Sequence, residues 1–245
     1  MTANDFSSQL DVLLDSYATA GFERTDNPRT IKLDEYEKSL LLTKSQEDIV
    51  IELYSGRNPF GTSFEETEEM RRYLSRLVKE ARLEPITTSS NKPLGIDSSS
   101  KFFTLPDDLW FITYESVQIS DGKCDSMKTM DVYPVTQDEY HKIKRNPFRG
   151  ANNRRALRLD LSDDVVEIVS KHTITEYYLR YLRKLKPIIL VNLGDEQNIE
   201  GYNTVSECEL PETLHQHILD RAVQLALQSR LGGNTSSTTA RNNNR

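Results

Sequence analysis

The hydrophobic pattern of the first 56 residues predicts two helices. After a candidate cap at Asp5, apolar residues recur at i, i+3, i+4 and i+7, and Gly21 follows where a helix often ends. These residues are Leu10, Leu13, Leu14 and Tyr17. Residues 43–46, Thr-Lys-Ser-Gln, have the form of a capping box before a second apolar stripe. The pattern therefore predicts a second helix over residues 44–55, ended by Gly56.

A third helix is predicted after residues 63–66, Ser-Phe-Glu-Glu, which again have the form of a capping box. The apolar residues that follow share one face over three helical turns, so the predicted helix continues to Ala81. They are Met70, Tyr73, Leu74, Leu77, Val78 and Ala81.

The middle of the chain has a strand-like pattern. After a polar loop over residues 86–101, residues 110–119 are rich in aromatic and β-branched side chains, and Asp121-Gly122 predicts a hairpin turn. The return strand is expected through Met130, Val132 and Tyr133. Further strand-like runs occupy residues 157–161, 165–169, 174–182 and 187–193. Within them, residues 177–182 also suit a helix.

The chain then returns to helical spacing. Pro211 suits a first helical position, and the predicted helix over residues 211–230 is closed by Gly232-Gly233. Its apolar stripe contains Leu214, Ile218, Ala222, Leu225 and Ala226. Strands and helices do not alternate in this layout, so we predict an α+β fold. Residues 1–84 and 205–232 form a helical bundle, residues 100–204 a β-rich region, and residues 233–245 a tail that is disordered in isolation.

Composition narrows the class of protein. The chain has 245 residues, 36% hydrophobic and 28% charged, with a net charge of -7, which argues against a surface built wholly to coat nucleic acid. Its two cysteines are far apart and fit neither a zinc site nor a disulfide framework. The N-terminus does not resemble a secretion signal, and no apolar run is long enough to span a bilayer. We expect a soluble protein made in the cytoplasm.

No motif for catalysis is recognisable. The glycines never take phosphate-loop spacing, and the serines lack a nucleophile elbow. His215 and His217 lie two residues apart on a predicted helix, so they cannot bind one metal ion from one face. We therefore predict no enzyme and no catalytic, cofactor or metal site.

One segment has an unusual charge pattern. Residues 141–158 contain seven basic residues and no acidic one, interrupted by Asn, Pro and Gly. The pattern predicts an exposed basic loop with three alternative roles: a solvated surface, a contact with an acidic surface on a neighbouring subunit, or a contact with nucleic acid. Phe148 is the only aromatic residue available for base stacking there.

Five stretches together resemble the head-to-tail connector ring proteins of crAss-like phages. They occupy residues 40–56, 105–117, 132–150, 179–193 and 207–227, so the resemblance covers roughly residues 36–230. The C-terminal Glu-Leu-Pro and its helix are also similar to podovirus tail tubular and adaptor proteins. Residues 1–35 and the C-terminal tail lie outside the resemblance.

The resemblance implies a non-enzymatic virion protein. Such a protein forms a ring, typically of twelve copies, between portal and tail around the channel through which the genome leaves. Its partners are other copies of itself, the portal protein and other connector or tail proteins, and DNA passes without specific binding. We expect the subunit interface to include Arg145, Phe148, Arg149, Arg154 and Arg155.

Two rival hypotheses remain open at the level of sequence. A cytoplasmic nucleic-acid-binding or regulatory module would use residues 141–158 as its binding surface, and its DNA affinity would depend steeply on salt. An enzyme of unrecognised type would instead show a deep pocket holding several titratable groups with perturbed pKa values.

Overall fold

The structure is a computed structural model that describes residues 1–21, 32–58, 61–86, 95–96, 100–120, 128–162, 164–194 and 197–239. Its fold is mixed α+β with a β-rich middle and helices at both ends, as predicted. The chain divides into two compact units. The helical unit comprises residues 1–76 and 185–245, and the β unit comprises residues 77–184.

The elements follow one another in this order: α1 (Ala3–Gly21), α2 (Glu35–Ser55), α3 (Glu68–Leu74), β1 (Val78–Leu83), β2 (Lys101–Thr104), β3 (Leu109–Ser120), β4 (Lys128–Pro134), α4 (Gln137–Ile143), β5 (Arg155–Asp160), β6 (Val165–Val169), β7 (Thr173–Arg183) and α5 (His215–Thr239). Short 3₁₀ turns over Ser75–Leu77 and Glu212–Leu214 precede β1 and α5.

Helix α5 packs against α1 and α2, two of the three helices with which the sequence predicts a shared core. Helix α1 contributes a buried stripe of Phe6, Leu10 and Leu14. On α5 the fully buried positions include Ile218 and Ala222, whereas Leu225 of the predicted stripe is only half-buried. Apolar residues at helical spacing on α1 and α5 thus pack together, although about 200 residues of sequence separate them.

The prediction that the second helix begins at residue 44 was wrong. Helix α2 begins at Glu35, where Asp34 and Glu37 form a complete capping box. The polar residues near position 44 lie inside the helix: Ser45 Oγ donates to the carbonyl oxygen of Leu41 at 2.6 Å. Such back-bonding lets a serine sit in mid-helix, so the capping-box pattern was misleading.

The third predicted helix was also too long. Thr67, not Ser63, caps α3, which ends at Leu74, and residues 78–83 form β1 instead of two further helical turns. Strand β1 pairs antiparallel with β7, from Val78 opposite Leu182 to Leu83 opposite Tyr177. The partner strand supplied hydrogen bonds that local periodicity could not reveal, and tertiary context overrode propensity.

The strand predicted at residues 187–193 was wrong for a related reason. Only an isolated bridge between Ile189 and Ser206 forms there, and other backbone groups of this stretch bond to polar side chains of α2. Ser39 Oγ accepts from the Leu190 amide at 3.0 Å, Thr43 Oγ1 accepts from the Ile188 amide at 3.1 Å, and Gln46 Nε2 donates to the Lys186 carbonyl at 2.7 Å. These three α2 side chains are buried, and their bonds satisfy part of the backbone of the extended segment outside the seven-stranded sheet.

The β unit contains one seven-stranded sheet in the order β1-β7-β3-β4-β5-β6-β2. The sheet is curled, and just beyond β1 the Ile86 amide donates to the Phe102 carbonyl of β2, at the opposite edge, at 2.8 Å. Residues 174–182 belong to a strand, which settles the helix-or-strand alternative. The buried core that the sheet carries includes Phe103, Val117, Met130, Val166 and Tyr177.

The expectation that no βαβ unit occurs was wrong at one place. Strands β4 and β5 are parallel, with Asp131 opposite Arg155 and Pro134 opposite Arg158, and α4 lies between them in sequence. Parallel neighbours need such a crossover. Tyr140 and Ile143 of α4 pack with Leu157 and Leu159 of β5 in a separate apolar cluster.

Two further predictions concern the turn between β3 and β4 and the end of the last helix. The pairing of β3 with β4 confirms the predicted antiparallel pair, but the Asp121-Gly122 turn lies outside the described residues. Helix α5 continues to Thr239, so Gly232-Gly233 does not end it. Disorder of residues 233–245 in isolation stays a prediction, and residues 240–245 lie outside the described part of the chain.

Candidate subunit interface

The basic segment belongs to the crossover between β4 and β5. Residues 141–143 end α4, residues 155–158 begin β5, and residues 144–154 connect the two without regular structure. We call residues 144–154 the return loop. The expected exposed basic loop is therefore shorter than the segment that the charge pattern indicated.

The return loop is held in shape by its own asparagines. Asn146 Oδ1 accepts hydrogen bonds from the amides of Phe148 at 2.9 Å and Arg149 at 3.3 Å. Asn152 Oδ1 accepts from the Arg154 amide at 2.9 Å. Short polar side chains favour such turns because they replace backbone acceptors. The loop therefore has a defined backbone despite its lack of helix or strand.

Gly150 is required by the same geometry. Its amide donates to the Asn146 carbonyl at 2.7 Å, which brings the backbone very close to the end of α4. A Cβ atom at this position would lie 2.8 Å from the Asn146 oxygen and 2.9 Å from the Ile143 oxygen. Any side chain would push the loop away from α4, so glycine fixes the direction in which the loop leaves the helix.

Four of the five predicted interface residues lie at the surface. The Phe148 side chain is 84% exposed, and Arg145, Arg149 and Arg154 are exposed as well. Within the described part of the chain, no carboxylate pairs with Arg149 or Arg154. An exposed aromatic ring on a well-held loop, beside arginines that have no carboxylate partner among the described residues, is the composition typical of an interface hot spot.

Arg155 has a different place. It is half-buried, its guanidinium lies 4.2 Å from the centre of the Tyr133 ring, and its Nη1 donates to the Phe148 carbonyl at 3.1 Å. Arg155 therefore holds the backbone that carries Phe148 rather than offering a free charge. Tyr133 was predicted only as a strand residue, since its contact with Arg155 depends on the parallel register of β4 and β5.

Arg158, the last basic residue of the segment, is withdrawn from the surface. Its Nη1 lies 2.9 Å from Glu115 Oε2 and its Nε 3.0 Å from Asp160 Oδ1. The Tyr177 hydroxyl donates to the same Glu115 oxygen at 2.6 Å. Burial raises the pKa of Glu115, and the Arg158 charge opposes that shift. Arg158, Glu115 and Tyr177 thus lie in the interior of the β unit, and the Arg158 charge is not offered to a partner, although Asp160 is exposed.

Other candidate sites are weaker. No group of three or more His, Cys, Asp or Glu side chains among the described residues could hold a metal ion. His215 is buried against Phe6 with a ring separation of 5.1 Å, and its Nε2 lies 3.1 Å from the Leu210 carbonyl, so it serves packing. None of the described helices has the length and apolar character needed to cross a bilayer.

Comparison with known proteins agrees with the resemblance. Residues 1–239 match the family described as phage tail ring protein 3/4. Ring protein 3 of Bacteroides phage crAss001 is 45% identical over 233 residues, which cover 94% of this chain and 96% of the relative. Ring protein 4/5 of the same phage is 33% identical over 238 residues, or 92% of each chain.

The chain is thus placed in the class of ring proteins from crAss-like phages. It belongs to the phage tail ring protein 3/4 family. The match includes residues 1–35, which the resemblance in sequence strings had left out.

Proposed function

We propose that this protein is a virion structural subunit of a ring in the head-to-tail connector, where it joins portal and tail around the channel that the genome leaves through. Many copies of the chain form the ring, and the exposed side chains of the return loop make part of the contact between subunits. The protein has no catalytic role in this assignment.

The well-held, exposed return loop is the observation that carries the proposal. Phe148 is 84% exposed in the single subunit, and its burial against a neighbour would remove this apolar surface from water. Arg149 and Arg154 beside it can make bidentate hydrogen bonds with carboxylates. A closed ring needs a heterologous contact in which one face of a subunit meets a different face of the next.

Overall charge agrees with a position around DNA. A channel lined throughout with lysine and arginine would release counterions from the phosphate backbone and retain the genome. A subunit with a net charge of -7 does not retain the DNA in this way if its basic residues are bound to other protein subunits. Ring assembly would place the return loop in such a contact.

The test is a combined variant with Phe148→Ala, Arg149→Ala and Arg154→Ala, which leaves Arg155 and its contact with Tyr133 in place. We expect an unchanged melting temperature, because exposed residues contribute less than about 1 kcal/mol each to folding. Incorporation into connectors, measured by mass spectrometry and electron microscopy of particles, should fall sharply. Arg82→Ala with Arg180→Ala, two exposed arginines of the β1–β7 pair, is the control.

The same protein preparation tests the nucleic-acid alternative. Negligible binding of duplex DNA at physiological salt is expected for both the unmodified and the variant protein. Tight binding, with a salt slope that falls by about one for each removed arginine, would instead make residues 141–158 a phosphate-binding surface. Normal incorporation of the variant into connectors would remove the return loop from the subunit contact.

A further inference from the structure

A second segment has the opposite charge pattern to the basic one. Between Lys186 and Arg221 the sequence contains seven acidic residues and no lysine or arginine. Residues 141–158 contain seven basic residues and no acidic one. The two segments belong to different units of the chain. A head-to-tail contact between identical copies joins two different surfaces, and opposite charge makes two such surfaces complementary.

Part of the acidic segment forms a hairpin, which we call the acidic hairpin and define as residues 189–194 and 197–206. Ile189 and Ser206 exchange two backbone hydrogen bonds of 3.1 Å each, and the Leu193 amide donates to the Asn203 carbonyl at 2.8 Å. The Val205 amide donates to Asn192 Oδ1 at 3.0 Å. Its first arm is bound to α2 through Ser39, as described above. The acidic hairpin is thus a supported surface within the helical unit.

A tight turn presents one of its carboxylates. Ile199 and Tyr202 exchange two hydrogen bonds of 2.9 Å, and the residues between them have positive φ angles, 52° at Glu200 and 84° at Gly201. These angles define a type I′ turn, which suits a two-residue hairpin connection. Glu200 is exposed at the tip of this turn, and Glu207 is exposed just beyond the second arm.

The acidic hairpin also exposes apolar side chains. Val191 is 40% exposed, Tyr202 43% and Val205 47%. The bond from Val205 to Asn192 places Val191 and Val205 on neighbouring stretches of backbone. An apolar centre with carboxylates beside it is chemically complementary to Phe148 with arginines beside it.

We infer that the acidic hairpin of one copy is the docking surface for the return loop of the neighbouring copy in the ring. This inference rests on the proposed function and names the partner surface for the same contact. Phe148 packs on Val191, Tyr202 and Val205 of the neighbour. Arg149 and Arg154 bind the neighbour's Glu200 and Glu207, where planar guanidinium groups match carboxylates in bidentate geometry.

Glu47 of α2 adds support from inside one subunit. Burial, and then a hydrogen bond and repulsion from Glu200, raise the pKa of Glu47 to about 7. The carboxyl groups of Glu47 and Glu200 therefore lie within hydrogen-bond distance of each other. Asp48 raises the pKa of Glu47 further, and Lys44 lowers it in part. An arginine arriving from another copy would relieve this repulsion, which is a reason for the isolated surface to favour a cationic partner.

A photo-crosslink tests the contact directly. The full-length protein with p-benzoylphenylalanine in place of Phe148 is expressed in infected cells, and assembled particles are irradiated. We expect a product with the mass of two chains, in which residue 148 is joined to the tryptic peptide of residues 185–221. That peptide stays whole because its internal Lys186 precedes Pro187 and no other lysine or arginine comes before Arg221.

Other crosslinked products distinguish a failure of the docking inference from a failure of the proposed function. Two chains joined through a different peptide, or a chain joined to another connector protein, would overturn the docking inference and leave the proposed ring function standing. A crosslink within one chain would also overturn the inference. Absence of the unmodified chain from particles, or crosslinks from residue 148 to DNA alone, would overturn the proposed function as well.

Charge reversal gives an independent test. Arg149→Glu with Arg154→Glu, and Glu200→Lys with Glu207→Lys, should each lower ring incorporation more than about tenfold, since facing like charges cost several kcal/mol. Co-expression of the two variants should restore incorporation, because alternating copies pair opposite charges at every contact. A single chain that carries all four substitutions should also enter rings, because each contact then again pairs opposite charges.

The reversal has a matched control in Glu80→Lys with Glu84→Lys, two exposed carboxylates of the β unit that the inference does not use. This variant should enter rings normally. Far-UV circular dichroism of each purified variant separates loss of folding from loss of docking. Folded single variants whose mixture fails to recover incorporation would overturn the inference.

Discussion

Arg158 Nη1 lies 2.9 Å from Glu115 Oε2 on the curled sheet, and both side chains are largely buried. This ion pair separates Arg158 from the other basic residues of the segment 141–158. In sequence Arg158 is indistinguishable from Arg154 or Arg155, yet one stabilises the interior and the others face solvent or the loop backbone. Charge counted along the chain therefore overestimates the charge that a partner meets.

Arg158→Ala should destabilise the protein by about 3–5 kcal/mol, because it leaves the buried Glu115 carboxylate without its counter-ion. Urea unfolding measured by circular dichroism gives the free energy of unfolding. Arg180→Ala, which removes an exposed arginine from β7, should change it by less than about 0.5 kcal/mol. Equal effects of the two substitutions would show that the Arg158–Glu115 pair does not support the β unit.

Ile218→Ala should cost about 2–5 kcal/mol, because Ile218 is fully buried on α5 and the smaller side chain leaves a cavity. Leu40→Ala on α2 is the matched control, since half of the Leu40 side chain is exposed and little cavity forms. Thermal unfolding of both variants measures the difference. A loss at Ile218 no greater than that at Leu40 would place α5 outside the shared core.

Glu47 predicts a dependence of stability on pH. Its folded pKa of about 7 lies above the ordinary value of 4.5, so the folded protein binds the proton more tightly than the unfolded chain. The resulting stabilisation is complete below about pH 4.5 and is lost as the pH rises through 7. Glu47→Gln cannot ionise and should keep its stability at pH 8.

The measurement is the melting temperature of both proteins at pH 5 and pH 8. We expect the variant to gain on the unmodified protein by a few degrees over that interval. Comparing the two proteins cancels other titrations, including that of His215, whose pKa is lowered mainly by burial. A difference that stays constant with pH would mean that folding does not raise the pKa of Glu47.

Deleting residues 233–245 should leave the melting temperature of the isolated subunit within about 2 °C, since Ala240 is the only apolar residue in that stretch. Truncation after residue 213 removes the buried α5 residues and should abolish folding of the helical unit. The two deletions are compared by thermal unfolding. A large loss from the shorter deletion would make the tail part of the domain.

Sequence alone located the elements whose signals are local. The strand at residues 109–120 is a run of β-branched and aromatic residues, and the buried stripes of α1 and α5 follow helical spacing. The exposure of Phe148, Arg149 and Arg154 was predictable for the same reason, because a basic stretch rich in Asn, Pro and Gly cannot enter a core.

Tertiary structure decided every feature that depends on a distant partner. Residues 78–83 form a strand because they pair with β7. Residues 187–193 form an extended segment because Ser39 and Thr43 of α2 bond to the Leu190 and Ile188 amides, and Ile189 bonds to Ser206. The parallel register of β4 and β5 brings Arg155 onto Tyr133, and packing within the β unit buries Arg158 with Glu115. Hydrogen-bond partners and dielectric surroundings come from residues far away in sequence, so periodicity and composition fixed the fold class and the loop, while packing assigned each charge its role.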